Sequence, residues 1–448
     1  MEYNYRHQAT QHLLYSMANL GQVRKHGPRI IVRGHDCYVW DIDGKRYIDG
    51  FAGLQLTNVG HGRKEIADAV TRQMGEIEYW HLFAGFCNLP AVKLSSKLAD
   101  LAPGNLQVTH FVNSGSEAAD SAFKIARQYQ RKRGFAQKYK IIYRNRAYHG
   151  MTMGATSAAG DKAFRAYHEP LVPGFIRIPN NHCYRCHFGL SYPMCDLQCA
   201  RVLETTILEE GPETVAAFIA DPVQGSTGGY IPPVPEYIPM VREICRKYNV
   251  LYIDDEVITG FGRTGKMFGI EHWQQAPDIM IVAKGLSSGY LPVGAVIMTS
   301  EIADTLQDEA FLHGMTYGGH PACAAAALAN LEIVERESLP ARAARMQGYV
   351  MERLRSMLDY SIVGEVRGIG MMYALEIVRD KSSKESFAQA SARIVEIAAE
   401  KGLILRVGSM GGSVLMCPPL IMTEELADEM LDIVSETISE VSRELGML

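Results

Sequence analysis

The chain has 448 residues, of which 47% are hydrophobic and 21% are charged, and its formal net charge is −5. This composition is ordinary for a globular protein, and the length favours two or three domains. The slightly acidic balance argues against a nucleic-acid-binding surface, and no apolar run approaches the length of a membrane span, so we expect neither kind of partner.

The chain opens with MEYNYRHQATQHLL, which lacks the basic and apolar stretches of a secretory signal. Nine cysteines, an odd number, favour reduced thiols over a disulfide framework, and we therefore expect a cytoplasmic protein. Further along, YVWDIDGKRYIDG predicts a small β-meander that turns at Asp43 and Gly44. We assign residues 1–63 to one part of a small domain.

Short apolar runs in the middle of the chain predict buried strands, at residues 108–112, 140–144, 215–220, 250–254, 279–283 and 293–298. Helical patterns such as SEAADSAFKIARQYQR lie between several of these runs. Strands that are joined through helices form a mostly parallel sheet with helices on both faces. We therefore expect an α/β fold with a large domain over residues 64–325.

The pattern changes over residues 326–448, where long helical stretches surround a few strands. LPARAARMQGYVMERLRSML and ELADEMLDIVSETISEVSREL are typical of such helices. We expect this segment to combine with residues 1–63 into a smaller α+β domain, built from the two ends of the chain.

Polar clusters follow several predicted strands, at the sheet edge where open α/β proteins bind ligands. Ser114, Gly115 and Ser116 lie between a strand and a helix, and the spacing from Ser114 to Glu117 is that of a capping box. Hydroxyls and free amides at a helix N-terminus can bind a phosphate group. An ordinary helix cap is the alternative interpretation.

A second cluster combines carboxylates and a lysine at the ends of neighbouring strands. Asp254 and Asp255 end one apolar run, and Lys284 ends the next. A deep carboxylate and a strand-end lysine suggest pyridoxal phosphate, with Lys284 as the Schiff-base lysine and Asp255 on the pyridinium nitrogen. Tyr148 offers a ring that could stack on this cofactor. A magnesium phosphotransferase built on Asp254 and Asp255 is the alternative, but it gives Lys284 and Tyr148 no role.

Together these motifs resemble the class III, or ω-, aminotransferases of pyridoxal-phosphate fold type I, and among them the amine/ω-amino acid:pyruvate transaminases. The resemblance rests on stretches in the family's order, namely VNSGSEAAD, AYHG, IDDEVITGFGRTGKMFG, AKGLSSGYLPVGAV, HGMTYGGHPACAAAA and GLILRVGSMGGSVLMCPPL. It implies ping-pong transfer of an amino group from an amine donor to an oxo-acid acceptor, with pyridoxal 5′-phosphate as cofactor.

The resemblance also implies roles for individual residues. Those expected to bind the cofactor are Ser114, Gly115, Ser116, Tyr148, His149, Asp255, Val257, Lys284 and Thr316. Lys284 and Asp255 would be catalytic, and Tyr148 and Val257 would pack on opposite faces of the ring. Thr316 matches the residue that reaches the phosphate of a neighbouring subunit's cofactor, which implies a homodimer with shared active sites, or a tetramer.

Three positions bear on the substrate. Gln55 stands where many amine:pyruvate transaminases carry tryptophan, so its amide either receives a polar end of the amine or only lines the entrance. Asp221 replaces the family's usual glutamate, which makes ornithine-like or GABA-like specificity unexpected. Arg406 matches an arginine that holds the acceptor's carboxylate, and Tyr148 would also contact the substrate. A surface arginine paired with an acid is the alternative for Arg406.

Other activities remain open on the same fold. An aminomutase, a racemase or a decarboxylase would use the same cofactor, whereas a pyridoxal-sensing regulator would need a DNA-binding module that the sequence lacks. The segment HCYRCHFGLSYPMCDLQC contains Cys183, Cys186, Cys195 and Cys199, which either bind structural zinc or pack a loop. We assign no metal ligand, since catalysis in this family needs no metal.

Overall fold

The computed structural model describes residues 4–409 and 411–447. Its α-helices are α1 Tyr5–His12, α2 Leu20–His26, α3 Ala52–Gln55, α4 Lys64–Glu76, α5 Leu89–Leu101, α6 Gly115–Lys132, α7 Met153–Ser157, α8 Gln198–Glu210, α9 Tyr237–Lys247, α10 Ser300–Thr305, α11 Pro321–Arg336, α12 Leu339–Ser356, α13 Ala388–Glu400 and α14 Glu424–Glu444. Its strands are β1 Ile31–His35, β2 Tyr38–Asp41, β3 Arg46–Asp49, β4 Leu106–Val112, β5 Lys140–Arg144, β6 Phe175–Ile178, β7 Val215–Ala220, β8 Leu251–Asp255, β9 Ile279–Val282, β10 Gly294–Thr299, β11 Val363–Ile369, β12 Met372–Ile377, β13 Leu403–Ile404, β14 Arg406–Val407 and β15 Ser413–Met416.

The central sheet has the strand order β4-β10-β9-β8-β7-β5-β6. Strands β9, β8, β7, β5 and β6 run parallel to one another, and β10 runs antiparallel to both β9 and β4. Every predicted central strand is present, with ends that differ by no more than two residues. The predicted α/β fold with a mostly parallel sheet is therefore confirmed.

Helices cover both faces of this sheet because the central strands are apolar on both sides. Strands β7 and β9 are buried at every residue. On one face, α6 packs Ala118, Ala122 and Phe123 into a cluster with the strand side chains. On the other face, α8 and α9 bury Leu203 and Val241 in the larger cluster. Burial of each large apolar side chain stabilises the fold by about 2 kcal/mol.

The two ends of the chain form further sheets beside the large one. The N-terminal meander β1-β2-β3 is joined by β13, which pairs parallel with β3. The predicted turn is present: Gly44 has φ of +82°, and the Asp41 carboxylate accepts the amides of Asp43 and Lys45. Another sheet has the order β11-β12-β15-β14. The domain limits at residues 63 and 325 stay a prediction.

The topology brings the carboxyl ends of several strands to one edge. Strands β5, β8 and β9 are mutually parallel, and β4 points the same way because β10 is antiparallel to both β4 and β9. The polar clusters after these strands therefore meet. Over residues 4–409 and 411–447, no helix is both long and apolar enough to cross a membrane.

Candidate active site

A cavity of about 420 Å³ lies at this edge of the sheet. Most of the residues predicted for cofactor binding line it, namely Ser114, Gly115, Ser116, Tyr148, His149, Asp255, Val257 and Lys284. They come from the ends of β4, β5, β8 and β9, which are far apart in the sequence. The parallel topology therefore assembles the predicted groups in one place.

The N-terminus of α6 forms one end of the cavity. Ser114 is the N-cap residue, and its Oγ accepts the amide of Glu117 at 3.3 Å, as the spacing predicts. The first amides of a helix have no partner inside the helix, so those of Gly115 and Ser116 are available to a ligand. A Cβ on Gly115 would lie 3.0 Å from both methyl groups of Val257. A larger residue at this position would therefore require the Val257 side chain to move by a few tenths of an ångström.

The Asp255 carboxylate is fixed by two protein donors. Its Oδ2 lies 2.6 Å from Nδ1 of His149, and its Oδ1 accepts the amide of Val257 at 3.1 Å. Asp255 and His149 are both buried. A carboxylate that is desolvated and already oriented favours a further cationic N–H partner. The geometry suits the ring nitrogen of pyridoxal phosphate.

Lys284 follows β9 directly and lines the same cavity. Burial lowers the pKa of its amine to about 8, although Asp255 acts in the opposite direction. The backbone of Lys284 has φ of +42°, a left-handed conformation that costs a non-glycine residue about 1–2 kcal/mol. This strain turns the chain sharply at the position where the amine enters the cavity.

The carboxyls on either side of Asp255 have structural partners. Glu256 accepts the Thr259 hydroxyl and, at 2.8 Å, the amide of Ile270. Asp254 is fully buried, and burial together with Glu256 raises its pKa well above the usual value. Neither Asp254 nor Glu256 lines the cavity that contains Lys284. This arrangement gives no support to the magnesium alternative.

Tyr148 lies at the boundary between this cavity and a second one. Its ring contacts that of Phe164, with 5.2 Å between the ring centres. Phe164 lines the second cavity, of about 810 Å³, together with Phe51 and Arg406. Phe164 ends a short 3₁₀ helix, Lys162–Phe164, in a stretch without any motif, and it is adjacent to Tyr148 only in space, so the local sequence does not reveal its place beside the site.

Arg406 lies in β14, opposite Leu415. Its guanidinium is 5.8 Å from the ring centre of Phe51, and its Nη2 is 3.7 Å from Sδ of Met17. In the described part of the chain, no carboxylate forms an ion pair with Arg406. The absence of an ion pair among these residues differs from the alternative of a surface arginine that is paired with an acid. The Arg406 guanidinium is therefore free to bind an anionic ligand.

Gln55 and Asp221 are both held by neighbouring side chains. Gln55 is buried, and its Nε2 donates to the hydroxyl of Tyr230. Asp221 lines the Lys284 cavity, but its Oδ1 accepts Nη2 of the buried Arg144 at 2.7 Å. Arg144 therefore neutralises the shorter acid at this position. Gln55 does not line the Lys284 cavity.

Thr316 lies outside the cavity of its own chain. It is exposed in a turn after residue 315, and its carbonyl accepts the hydroxyl of Tyr79 at 2.7 Å. The cysteine segment is also separate from the cavity. Cys183, Cys186, Cys195 and Cys199 are free thiols. Within the described residues, no three or more His, Cys, Asp or Glu side chains are grouped so that they could hold a metal ion.

The residues of the cavity fit pyridoxal phosphate on chemical grounds. The α6 N-terminus offers amides and hydroxyls for a phosphate, Asp255 offers a carboxylate for a ring N–H, and Tyr148 offers an aromatic face. Lys284 supplies an amine with a lowered pKa for an aldehyde. The phosphate, the ring nitrogen, the ring face and the aldehyde of the cofactor thus each find a matching partner.

Comparison with known proteins gives matches along nearly the whole chain. The family model described as aminotransferase class-III matches residues 21–438. A putrescine–pyruvate aminotransferase of Pseudomonas aeruginosa is 38% identical over 435 residues, 96% of this chain and 95% of the relative. A taurine–pyruvate aminotransferase of Bilophila wadsworthia is 38% identical over 450 residues, 97% of each chain.

Solved structures resemble the fold closely. An (S)-enantioselective ω-transaminase from Thermomicrobium roseum has a TM-score of 0.94 at 41% identity, covering 97% of this chain and 98% of that chain. An ω-transaminase from Pseudomonas jessenii in complex with PMP has a TM-score of 0.95 at 36% identity, with 99% of each chain covered. The likeness therefore extends over nearly the whole chain.

Proposed function

The chain belongs to the class III aminotransferase family, which depends on pyridoxal 5′-phosphate, and we propose that it moves an amino group from an amine or ω-amino acid to pyruvate or a similar 2-oxo acid. The observation that carries this proposal is the placement of Lys284 and Asp255 in one cavity with the N-terminus of α6. Pyruvate as the acceptor is supported by the names of the relatives from P. aeruginosa and B. wadsworthia. Their names differ in the donor, so the proposed donor class is broad.

We propose that the cavity residues hold the cofactor as follows. Gly115 and Ser116, with Ser114, bind the phosphate, and Tyr148 packs on the ring beside His149. Val257 packs on the opposite ring face. Asp255 pairs with the pyridine nitrogen, supported by its hydrogen bonds to His149 and Val257. Lys284 would form the covalent link to the cofactor's aldehyde.

The chemistry then depends on Lys284 as a base. When bound, the cofactor supplies an electron sink for the negative charge that develops on the substrate carbon. With the donor bound, the Lys284 amine would be the group that takes the proton from that carbon. Because burial lowers its pKa to about 8, part of the amine is neutral near neutral pH and can accept a proton. The donor product leaves before the acceptor binds, which gives ping-pong kinetics.

We propose that Arg406 binds the carboxylate of the oxo acid. Its guanidinium has no ion-pair partner among the described residues and lies in the cavity that adjoins Tyr148. A planar guanidinium can bind a carboxylate through two parallel hydrogen bonds. Gln55 is proposed to affect the donor side only indirectly, since it is buried, donates to Tyr230 and does not line the Lys284 cavity.

We further propose a homodimer with shared active sites, which could pair into a tetramer. Thr316 is exposed and lies away from the cavity of its own chain, as expected of a residue that serves a neighbouring subunit. A cytoplasmic location is proposed as well. All nine cysteines belong to the described part of the chain and none forms a disulfide, which is typical of a reducing compartment.

A donor and acceptor screen tests the proposed activity. The holoenzyme is mixed with single amines under single-turnover conditions, and the loss of the cofactor absorbance band is followed. The amino form of the enzyme is then mixed with pyruvate, 2-oxoglutarate or glyoxylate, and the return of the band is followed. We expect pyruvate to restore the band fastest; no restoration by any of the three acids would contradict transamination.

A further inference from the structure

The segment that carries Lys284 has an unusual backbone. Lys284 has φ of +42° and Ser288 has φ of +49°, although neither is glycine. Such residues keep a left-handed conformation only where the surrounding structure enforces it. The short 3₁₀ turn Lys284–Leu286 alone is too small to do so. Among the described residues, it is closed by two backbone bonds, from the Leu286 N–H to the Ala283 carbonyl and from the Ser287 N–H to the Lys284 carbonyl.

One side chain from another element binds this turn. Nδ2 of Asn330, in helix α11, donates to the carbonyls of Gly285 and Leu286, both at 2.9 Å. Both targets are acceptors, so the amide nitrogen of Asn330 must face them, and this fixes the orientation of the carboxamide. Asn330 thus connects the turn after Lys284 to a long helix.

Asn330 is an exception within its helix. The buried face of α11 is otherwise apolar, with Ala324, Ala327 and Leu331 in the same core cluster. Asn330 is fully buried, and within the described residues its Oδ1 has no hydrogen-bond partner. An unsatisfied buried carbonyl destabilises the fold. The presence of an asparagine at position 330 is therefore explained by the two hydrogen bonds that its nitrogen donates to the turn, and not by a gain in overall stability.

Asn58 packs against Gly285 in the same turn. A Cβ on Gly285 would lie 2.6 Å from Nδ2 of Asn58, so the turn cannot move in that direction. Asn58 is itself fixed, because its Oδ1 accepts Nη2 of the buried Arg263 at 2.6 Å and its Nδ2 donates to the carbonyl of Phe261. Two side chains with fixed orientations, Asn58 and Asn330, therefore contact the turn.

We infer that Asn330 is a positioning residue, which holds the left-handed backbone of Lys284 so that the amine points into the cavity. The inference rests on the proposed role of Lys284. Asn330 does not line the cavity and contacts neither the proposed cofactor site nor Arg406. Its effect on the reaction therefore passes entirely through the backbone of residues 284–286.

Three variants of the holoenzyme test the inference. Asn330→Leu removes both donors and keeps the branched arrangement of side-chain heavy atoms, with larger methyl groups at the ends. Asn330→Asp keeps both shape and size but loses the two N–H groups. Leu331→Ala is the matched control, since Leu331 is the next residue of α11, is equally buried and lies in the apolar core. Thermal unfolding first establishes that each variant is folded. If Asn330→Leu does not fold, Asn330→Asp is used for the test.

Two measurements follow on each folded variant: the single-turnover rate with a saturating amine, and hydrogen exchange of the Leu286 and Ser287 amides. Both Asn330 variants should lower the rate at least about tenfold, with the half-saturating amine concentration within about threefold of the parent. They should also accelerate exchange at these amides at least about tenfold. Leu331→Ala should lower the melting temperature but leave both readouts within about threefold.

Unchanged exchange at Leu286 and Ser287 in both Asn330 variants would overturn the inference, as would equal effects from Leu331→Ala. Failure of the proposed function gives a different result. If Lys284 does not hold the cofactor, borohydride reduction and mass spectrometry of the parent enzyme would show no cofactor attached to Lys284. The exchange measurement does not depend on that attachment, so the two failures can be told apart.

Discussion

At the scale of single residues, the Lys284 amine gives a prediction about pH. Burial lowers its pKa to about 8, from an ordinary value of about 10.4. Only the neutral amine attacks an aldehyde, and the neutral form dominates above the pKa. We expect the rate constant for cofactor binding to the apo-enzyme to rise with pH with a midpoint near 8, as measured by stopped-flow absorbance.

The same experiment with Asp255→Asn tests which groups set the pKa of Lys284. The Asp255 carboxylate raises the pKa of Lys284, against the effect of burial. Its removal should move the midpoint below 8. A midpoint that stays near 10 in the parent enzyme, or that rises in Asp255→Asn, would contradict this description of the site.

Removal of the lysine side chain tests its proposed covalent and basic roles together. Lys284→Ala should lose the covalent link and the associated absorbance band while the fold is retained. Single-turnover rates should fall at least about a thousandfold, because nucleophile and base are lost together. Circular dichroism controls for folding, and added small amines should restore part of the rate. Substantial turnover without added amine would refute the assignment.

Arg406 gives a prediction that separates the two half-reactions. Arg406→Ala should weaken the pyruvate half-reaction by about 2 kcal/mol, roughly thirtyfold, as expected for a lost charge-assisted hydrogen bond. Arg406→Lys should not restore it, because lysine cannot pair with a carboxylate in a planar, bidentate manner. The half-reaction with an amine that lacks a carboxylate should be spared. Equal losses in both half-reactions would remove Arg406 from the acceptor site.

At the scale of elements, local sequence predicts strands and helix starts well and misses long-range contacts. The apolar runs predict β7, β8 and β9 because those strands are buried on both faces. Strand β6 was missed because FIRI is short, basic and only partly buried. The N-cap of α6 is predictable from the Ser114–Glu117 spacing alone.

In the candidate site, too, local sequence does not predict long-range contacts. The resemblance assigned Lys284, Asp255 and Tyr148, and the fold brings them into one cavity. The supporting contacts join residues that are far apart in sequence, such as Asn330 with Gly285, or Gln55 with Tyr230. No local pattern encodes these pairs, although a lone asparagine in the alanine-rich stretch ACAAAALAN is a visible anomaly.

The start of α6 gives a prediction at this scale. In Gly115→Ala the new Cβ would meet both Val257 methyl groups at 3.0 Å, so the loop and Val257 must separate. We expect this overpacking to weaken cofactor binding by about 1–2 kcal/mol, measured by equilibrium titration of the apo-enzyme. Gly75→Ala in α4 is the control, since nothing lies near its Cβ, and it should slightly stabilise the fold. Full cofactor affinity in Gly115→Ala would show that Val257 can move away from residue 115 without weakening cofactor binding.

At the scale of the whole molecule, both chain ends are tied to the segment around Lys284. Arg263 is fully buried and donates to Asn58 near one end of the chain and to the carbonyls of Met371 and Pro418 near the other. The N-terminal Asn58 packs against Gly285 in turn. Contacts from both ends of the chain therefore support the segment that carries Lys284.

The last prediction concerns an apolar surface that consists of Trp80, Phe83, Phe86 and Leu89. These side chains are 40–64% exposed, and a contiguous exposed group of this kind marks an interaction site. The surface adjoins the segment with Thr316, because the hydroxyl of Tyr79 donates to the Thr316 carbonyl. If the proposed homodimer forms through this surface, Phe86→Asp should give a monomer in light scattering, since a charge cannot be buried unpaired.

The monomer should also bind the cofactor at least about tenfold more weakly, because Thr316 of a partner subunit would no longer reach the phosphate. Phe135→Asp is the matched control: Phe135 is 42% exposed but lies after α6, away from this surface. That variant should remain dimeric with unchanged affinity. A Phe86→Asp protein that is monomeric yet binds the cofactor as tightly as the parent would mean that each chain forms its site alone.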